Sequence, residues 1–158
     1  MLDTGRCCVA VINLLGAAYS NDAGNPFLCA DELLEKEDIR SAKIKLVDFH
    51  AEATGEKRAL AFYLDGRVSA VWGTHTHVQT ADECILPKGT GYITDLGMVG
   101  TFYSCLGVDP ACVIARLKDG EQVKFSHIDG KCVLSGCLFD IDESGKTRFV
   151  ERIAVREP

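Results

Sequence analysis

Short apolar runs broken by polar turns punctuate this chain. The run CVAVINLL, residues 8–15, is short and rich in β-branched side chains, which predicts a buried strand. A loop rich in Asn, Asp and Gly follows over residues 19–26. Asn25-Pro26 then opens a helix through residue 39, with Leu28, Leu33 and Leu34 sharing one broad face and Asp31, Glu32, Glu35 and Glu37 taking the rest. KIKLVDF, residues 43–49, predicts a second strand that ends at His50. Residues 56–66 predict a second helix, with Leu60, Tyr63 and Leu64 inward and Gly66 as its stop. VSAVWG, residues 68–73, predicts a third strand ending at Thr74-His75.

That alternation of strand and helix is the order of an α/β fold with crossover connections. Ligands gather in such folds at the carboxyl ends of the strands, where His50 and His75 both fall. Further along, a Pro and Gly turn at 85–89 precedes a strand over 91–98 and a short helix over 110–120. Three apolar or alternating runs, 122–128, 131–141 and 147–155, are separated by Asp129-Gly130 and Ser144-Gly145, which predict hairpin turns and an antiparallel cap. Residues 1–158 are read as a single domain without repeats or linkers.

Composition narrows the class. At 158 residues the chain is one ordinary domain, able to bury roughly 70% of its unfolded surface. Hydrophobic residues at 47%, charged residues at 25% and only four prolines describe a globular chain. A formal charge of −6 with scattered basic residues excludes a binder of long nucleic acid. The eight cysteines form no CxxC pair and sit mostly in apolar runs, so they are expected to be small buried hydrophobes in a reducing compartment. Residues 6–18 resemble a signal peptide in having one Arg and an apolar run, but Asn13 interrupts that run and Asp3 precedes it, which favours a strand. No segment approaches the ~18 apolar residues of a membrane span, so a cytoplasmic location is expected.

The candidate chemistry lies in GTHTHVQT, residues 73–80, which places two of the chain's four histidines one residue apart. In an extended segment His75 and His77 face one side together, and His50 at a neighbouring strand end is a plausible third metal ligand. Thr74 and Thr76 offer hydroxyls to orient the rings or contact a phosphate. On spacing alone, a metal site and a chance pairing of exposed polar residues both stay open. Asp48 shares the face of His50 but lies ~6.6 Å back along the strand, so it is given a structural role. Glu52 is left open as a partner behind a ligand, Asp95 is expected to brace the histidine loop with capping of a turn as the alternative, and His127 is expected to be structural or solvated. No nucleophile elbow or P-loop occurs, and the acidic neighbours of Cys84 argue against a reactive thiolate.

The blocks DFHAEAT and GTHTHVQTAD, together with NPFLCADELL before them and LSGCLFDIDESGKTRFVERI after, resemble the later portion of the YmdB-like, calcineurin-type metallophosphoesterases. These are phosphodiesterases associated with 2′,3′-cyclic nucleotides. The resemblance implies a two-sheet α/β sandwich and a dinuclear centre in which His50 and His75 hold one metal and His77 the other. Iron is the metal it implies, with manganese or another divalent ion as the alternative. The substrate it implies is a nucleotide or other small phosphodiester.

Family members also carry an N-terminal third with an Asp, a Glu-Asn pair holding the bridging ligand, and an Asn-His pair holding a further ligand and the proton donor. This sequence has none of those motifs, so the expectation is a truncated product or one part of a split protein. The N-terminal strands of one sheet and the proton donor would be missing, at most one metal would be held by this chain alone, and catalysis would be weak or absent. The open sheet would be covered by a second copy or by a missing N-terminal fragment. The alternative is a non-catalytic module that holds one metal or a nucleotide.

Overall fold

The computed structural model describes residues 1–19 and 24–158. The loop expected over 19–26 therefore falls partly outside the described residues, at 20–23. Nine strands and four helices appear among the described residues: β1 (Leu2–Asp3), β2 (Cys8–Leu15), α1 (Pro26–Leu34), α2 (Glu37–Ser41), β3 (Ile44–His50), α3 (Thr54–Leu64), β4 (Ala70–Thr74), β5 (Cys84–Ile85), β6 (Gly91–Ile93), β7 (Val99–Thr101), α4 (Pro110–Asp119), β8 (Cys132–Ile141) and β9 (Thr147–Arg156).

The first sheet has the order β1-β2-β3-β4-β6-β5, and its four central strands run parallel. Register fixes which side chains share a face. Ile12 pairs with Val47 and Leu14 with Phe49, and Val47 in turn pairs with Val71, which pairs with Tyr92. These residues form one buried core with Leu34, Leu60, Ala61 and Leu64 of the helices. The opposite face carries Trp72, which meets Phe139 of the second sheet at 6.1 Å between rings. That second sheet, β7-β8-β9, is antiparallel throughout, and the two layers make the α/β sandwich that the family resemblance implied. It leaves Val11 and Leu15 of β2 at 55% exposure each.

Several expectations are corrected. The helix expected over 25–39 is two helices, because Lys36 is extended and starts a new N-terminus for α2. Asn25 caps α1 by accepting from the amides of Phe27 and Leu28, and its buried stripe is Pro26, Ala30 and Leu34. Leu28 lies off that stripe and is 60% exposed. Tyr63 is also outward, with its hydroxyl on Asp31 and its ring edge against Phe27 at 5.3 Å. Its inward place is taken by Ala61 and by the aliphatic stem of Lys57. The strand expected over 91–98 ends at Ile93, because Thr94 and Asp95 turn away to bond Asp82 and Thr80.

Residues 122–128 form no strand. His127 makes a single bridge to Val108, and Phe125 lies exposed beneath Arg116, so the alternation there has no buried face to fill. The partner of β8 on that side is β7, and Asp129-Gly130 is consequently not a hairpin turn between strands. Ser144-Gly145 is one, joining β8 to β9. None of the cysteines is buried: all eight are free, with Cys8 exposed at the first position of β2 although it shares the parity of buried Ala10, Ile12 and Leu14, and Cys29 off the buried stripe of α1. No described helix is long and apolar enough to cross a membrane.

Gly73 sits where β4 presses on its neighbours. A Cβ there would lie 1.8 Å from the Thr94 carbonyl oxygen and 2.8 Å from Cδ of Lys57. Backbone cannot step aside as a flexible side chain can. Gly73→Ala is expected to cost about 3 kcal/mol or more, read as a lower midpoint in urea unfolding, and an unchanged midpoint would contradict this packing.

Candidate metal-binding pair

β3 and β4 place His50 and Thr74 side by side, in direct register at the carboxyl end of the sheet. The Thr74 hydroxyl donates its one proton to Asp48 Oδ1 at 2.9 Å. It must then accept from His50 Nδ1, which lies 3.0 Å away. Asn13 Nδ2 holds the other Asp48 oxygen at 3.0 Å. This relay puts the proton of His50 on Nδ1 and leaves Nε2 with a lone pair.

The ring of His75 is tied from the other side. Its Nε2 lies 2.8 Å from Glu52 Oε2, and a carboxylate can only accept, so the proton is on Nε2. His75 Nδ1 faces His50 Nε2 at 3.2 Å, with the ring centroids 4.9 Å apart. Two ring nitrogens are thereby aimed at one point, and each presents a lone pair when its ring is neutral. Two imidazole nitrogens bound to one cation at about 2.1 Å stand ~3.0 Å apart in octahedral and ~3.4 Å in tetrahedral geometry, so the pair fits a shared ion. A cleft of about 360 Å³ opens beside the rings, between Leu15, Gly16 and Tyr19 on one side and Glu52 on the other.

His77 does not join the pair. Its Nδ1 lies 3.2 Å from the Leu106 carbonyl oxygen, and among the described residues no group of three or more His, Cys, Asp or Glu converges as a metal site. The expectation of an extended segment fails here, because φ is +114° at His75 and +63° at His77. Positive φ at both histidines breaks the two-residue alternation that would have put both rings on one side. Thr76 also departs from expectation, since its hydroxyl bonds within its own turn to Val78 and not to a ring. His127 is exposed, with Nδ1 3.4 Å from the Gly107 carbonyl.

Each left-handed non-glycine residue costs on the order of 1–3 kcal/mol, so something must hold the loop. Asp95 does this from below: its Oδ2 accepts from the amide of Thr76, between the two histidines, at 3.0 Å and from Lys57 Nζ at 2.8 Å. Its Oδ1 accepts from the Gly97 amide at 2.9 Å, so Asp95 both braces the histidine loop and caps a turn. Lys57 and Asp95 form a buried ion pair, with 1% and 0% exposure. Lys57 drew no attention in the sequence, where it reads as one more polar helix residue. Asp48 is likewise more than structural, because Thr74 spans the gap between it and His50. Only the parity it shares with His50 hinted at that.

Burial pushes the Asp95 carboxyl up, but the Lys57 ammonium and the Gly97 and Thr76 donors outweigh it and hold the carboxyl below the usual carboxylate range. Such a group stabilises the fold above its unfolded pKa, and that contribution is lost as pH falls through the depressed native value. Lys57→Met leaves the carboxylate buried without its counter-ion, with an expected loss of about 3–5 kcal/mol near neutrality. The gap from wild type should narrow in acid, once Asp95 protonates. Urea unfolding at about pH 7 and about pH 3 checks this, and a gap that is constant with pH would exclude the ion pair as its source.

Comparison with known proteins agrees with the architecture. The 2′,3′-cyclic-nucleotide 2′-phosphodiesterase of Bacillus subtilis (strain 168) is 51% identical over 150 residues, covering 94% of this chain and 56% of that protein. A crystal structure of a hypothetical protein from Thermus thermophilus superposes with a TM-score of 0.92 at 40% identity, covering 99% of this chain and 61% of that one. A crystal structure described as a novel phosphatase from Mycoplasma pneumoniae gives 0.89 at 36% identity, covering 98% and 56%. The chain thus spans little more than half the length of these relatives. The family described as YmdB-like protein matches residues 1–153, and with the two-sheet fold shared by both solved chains, this chain belongs to that family.

Proposed function

We propose that this chain supplies part of the metal centre of a phosphodiesterase acting on small phosphodiesters, of which a 2′,3′-cyclic nucleotide is the leading candidate. The observation that carries the reading is that His50 Nε2 and His75 Nδ1 face each other at 3.2 Å, each ring fixed from behind. The name of the Bacillus relative supports the substrate class. His50 and His75 would hold one divalent cation, iron or manganese. When bound, that cation supplies Lewis-acid polarisation of a phosphoryl oxygen and lowers the pKa of a water.

The chain's own residues orient and tune. Asp48, through Thr74, keeps the proton of His50 on Nδ1, and Glu52 keeps that of His75 on Nε2. Both carboxylates raise the basicity of the ring nitrogen that faces the cation. Two imidazoles fall short of the three protein ligands of a catalytic zinc site, so the reading requires donors from beyond these residues, with His77 ready to turn towards a second ion. In the complete enzyme the centre is dinuclear under this proposal, and the catalytic proton donor comes from outside this chain. A second reading, a module that holds a single cation without catalysis, is favoured by the bond of His77 to Leu106.

Both readings are tested by loading the chain with Mn²⁺, desalting it and measuring retained metal beside turnover of a bis-aryl phosphate. About one ion per chain with turnover near background is expected. His50→Ala and His75→Ala should abolish retention, whereas His77→Ala should leave it. Glu52→Gln should weaken it by roughly 10–100-fold. Retention unchanged in the His50 and His75 variants would refute the pair as a metal site. Two tightly held ions with brisk turnover would instead show that these residues suffice for catalysis.

A further inference from the structure

At the end of the sheet opposite the imidazoles, five cationic side chains, Lys43, Lys45, Arg67, Lys88 and Lys146, line one cavity of about 180 Å³. They come from four segments: the start of β3, the turn after α3, the turn before β6 and the β8–β9 turn. No carboxylate lines the cavity among the described residues, although the chain carries a formal charge of −6. Like charges gathered in one concavity repel, and an anion within it removes that cost.

Nearby carboxylates are already engaged. Asp31 holds Arg67 at 2.6 Å, and Asp65 accepts from the Lys88 amide at 2.9 Å. Asp142 Oδ1 accepts from the amides of Ser144 and Lys146 within its own turn. Among the described residues Lys43, Lys88 and Lys146 have no carboxylate on their ammonium groups within 4.0 Å. Lys45 Nζ gives one proton to the Ala42 carbonyl at 2.7 Å and has two left.

The walls are fixed by hydrogen bonds between the two sheets. Thr147 donates its amide to the Gly89 carbonyl at 3.0 Å and its hydroxyl to the Ser69 carbonyl at 2.6 Å. Gly145, at φ +84°, lets the hairpin turn lie flush on β3, since a Cβ there would come within 2.5 Å of the Lys43 carbonyl oxygen. Ser69 lines the cavity at 2% exposure; its Oγ accepts from the Lys45 amide at 3.2 Å, and no described hydrogen bond takes its own proton. A buried hydroxyl donor thus lines the same cavity as the lysines. The volume lies below the ~300–1,000 Å³ of pockets that enclose whole organic ligands, so a nucleoside would remain outside.

We propose that this cavity binds a small phosphate-bearing anion, either free phosphate or diphosphate or the phosphate end of a mononucleotide. Several point charges converging from different segments suit a multiply charged tetrahedral oxyanion better than a single carboxylate. The site is separate from the imidazole pair, and its occupancy needs no metal.

Isothermal titration of the metal-free 158-residue chain with inorganic phosphate, diphosphate and adenosine monophosphate, at low ionic strength, tests it. Saturable binding at one site is expected, weakened about ten-fold or more in K88Q/K146Q and retained in K88R/K146R. His50→Ala should leave it unchanged, which separates this result from the fate of the proposed metal pair. Tighter binding of diphosphate than of the mononucleotide assigns the free anion, and the reverse assigns the nucleotide. Absence of saturation up to ~10 mM for all three, or binding that K88Q/K146Q leaves intact or that His50→Ala removes, would overturn the proposal.

Discussion

Two imidazole nitrogens face each other at 3.2 Å, a separation that suits ligation of one shared cation. That is the position of His50 Nε2 and His75 Nδ1 once the outer hydrogen bonds have assigned the ring protons. A divalent cation fits this gap with the tautomers unchanged. The arrangement spends its acidic groups behind the rings, where they fix orientation and basicity, and keeps only neutral donors in front.

The rest of the architecture serves that convergence. Parallel register between β3 and β4 brings His50 beside Thr74, and the next residue, His75, leaves the strand with a positive φ that swings its ring across. A loop with two such residues is not stable on its own. The Lys57–Asp95 pair beneath it reaches the Thr76 amide, and burial makes that carboxylate demanding of its partners, so one loop geometry is favoured over the alternatives. Gly73 completes the fit by letting α3 and the 94–97 segment close on β4, with the Leu96 amide on the Gly73 carbonyl at 2.9 Å.

The sheet is also chemically polar along its strands. Its carboxyl end gathers imidazoles and carboxylates, and its amino end gathers five cations around a cavity of about 180 Å³. Thr147 ties the second sheet to the first at that amino end, so the lysines of the β8–β9 turn and of β3 belong to one rigid frame.

Local pattern determined the parts of this protein that local physics controls. Short apolar or alternating runs marked β2, β3, β4, β8 and β9, turn chemistry marked Ser144-Gly145, and His50 could be placed at a strand end because the apolar run of β3 stops there. Motif matching then identified the family from the two histidine blocks. Tertiary structure alone decided the outcomes that depend on distant partners. The apolar alternation at 122–128 found no surface to cover, and the cysteines came to rest at element ends, turns and partly covered faces that only the assembled fold could reveal. The tautomer of His50 depends on an Asp48–Thr74 contact across 26 positions, and the φ values of His75 and His77 on a carboxylate 19 positions from the amide it holds. A left-handed backbone costs energy wherever it occurs, so no local preference announces it; it persists only because buried hydrogen bonds from elsewhere in the fold make every other conformation worse.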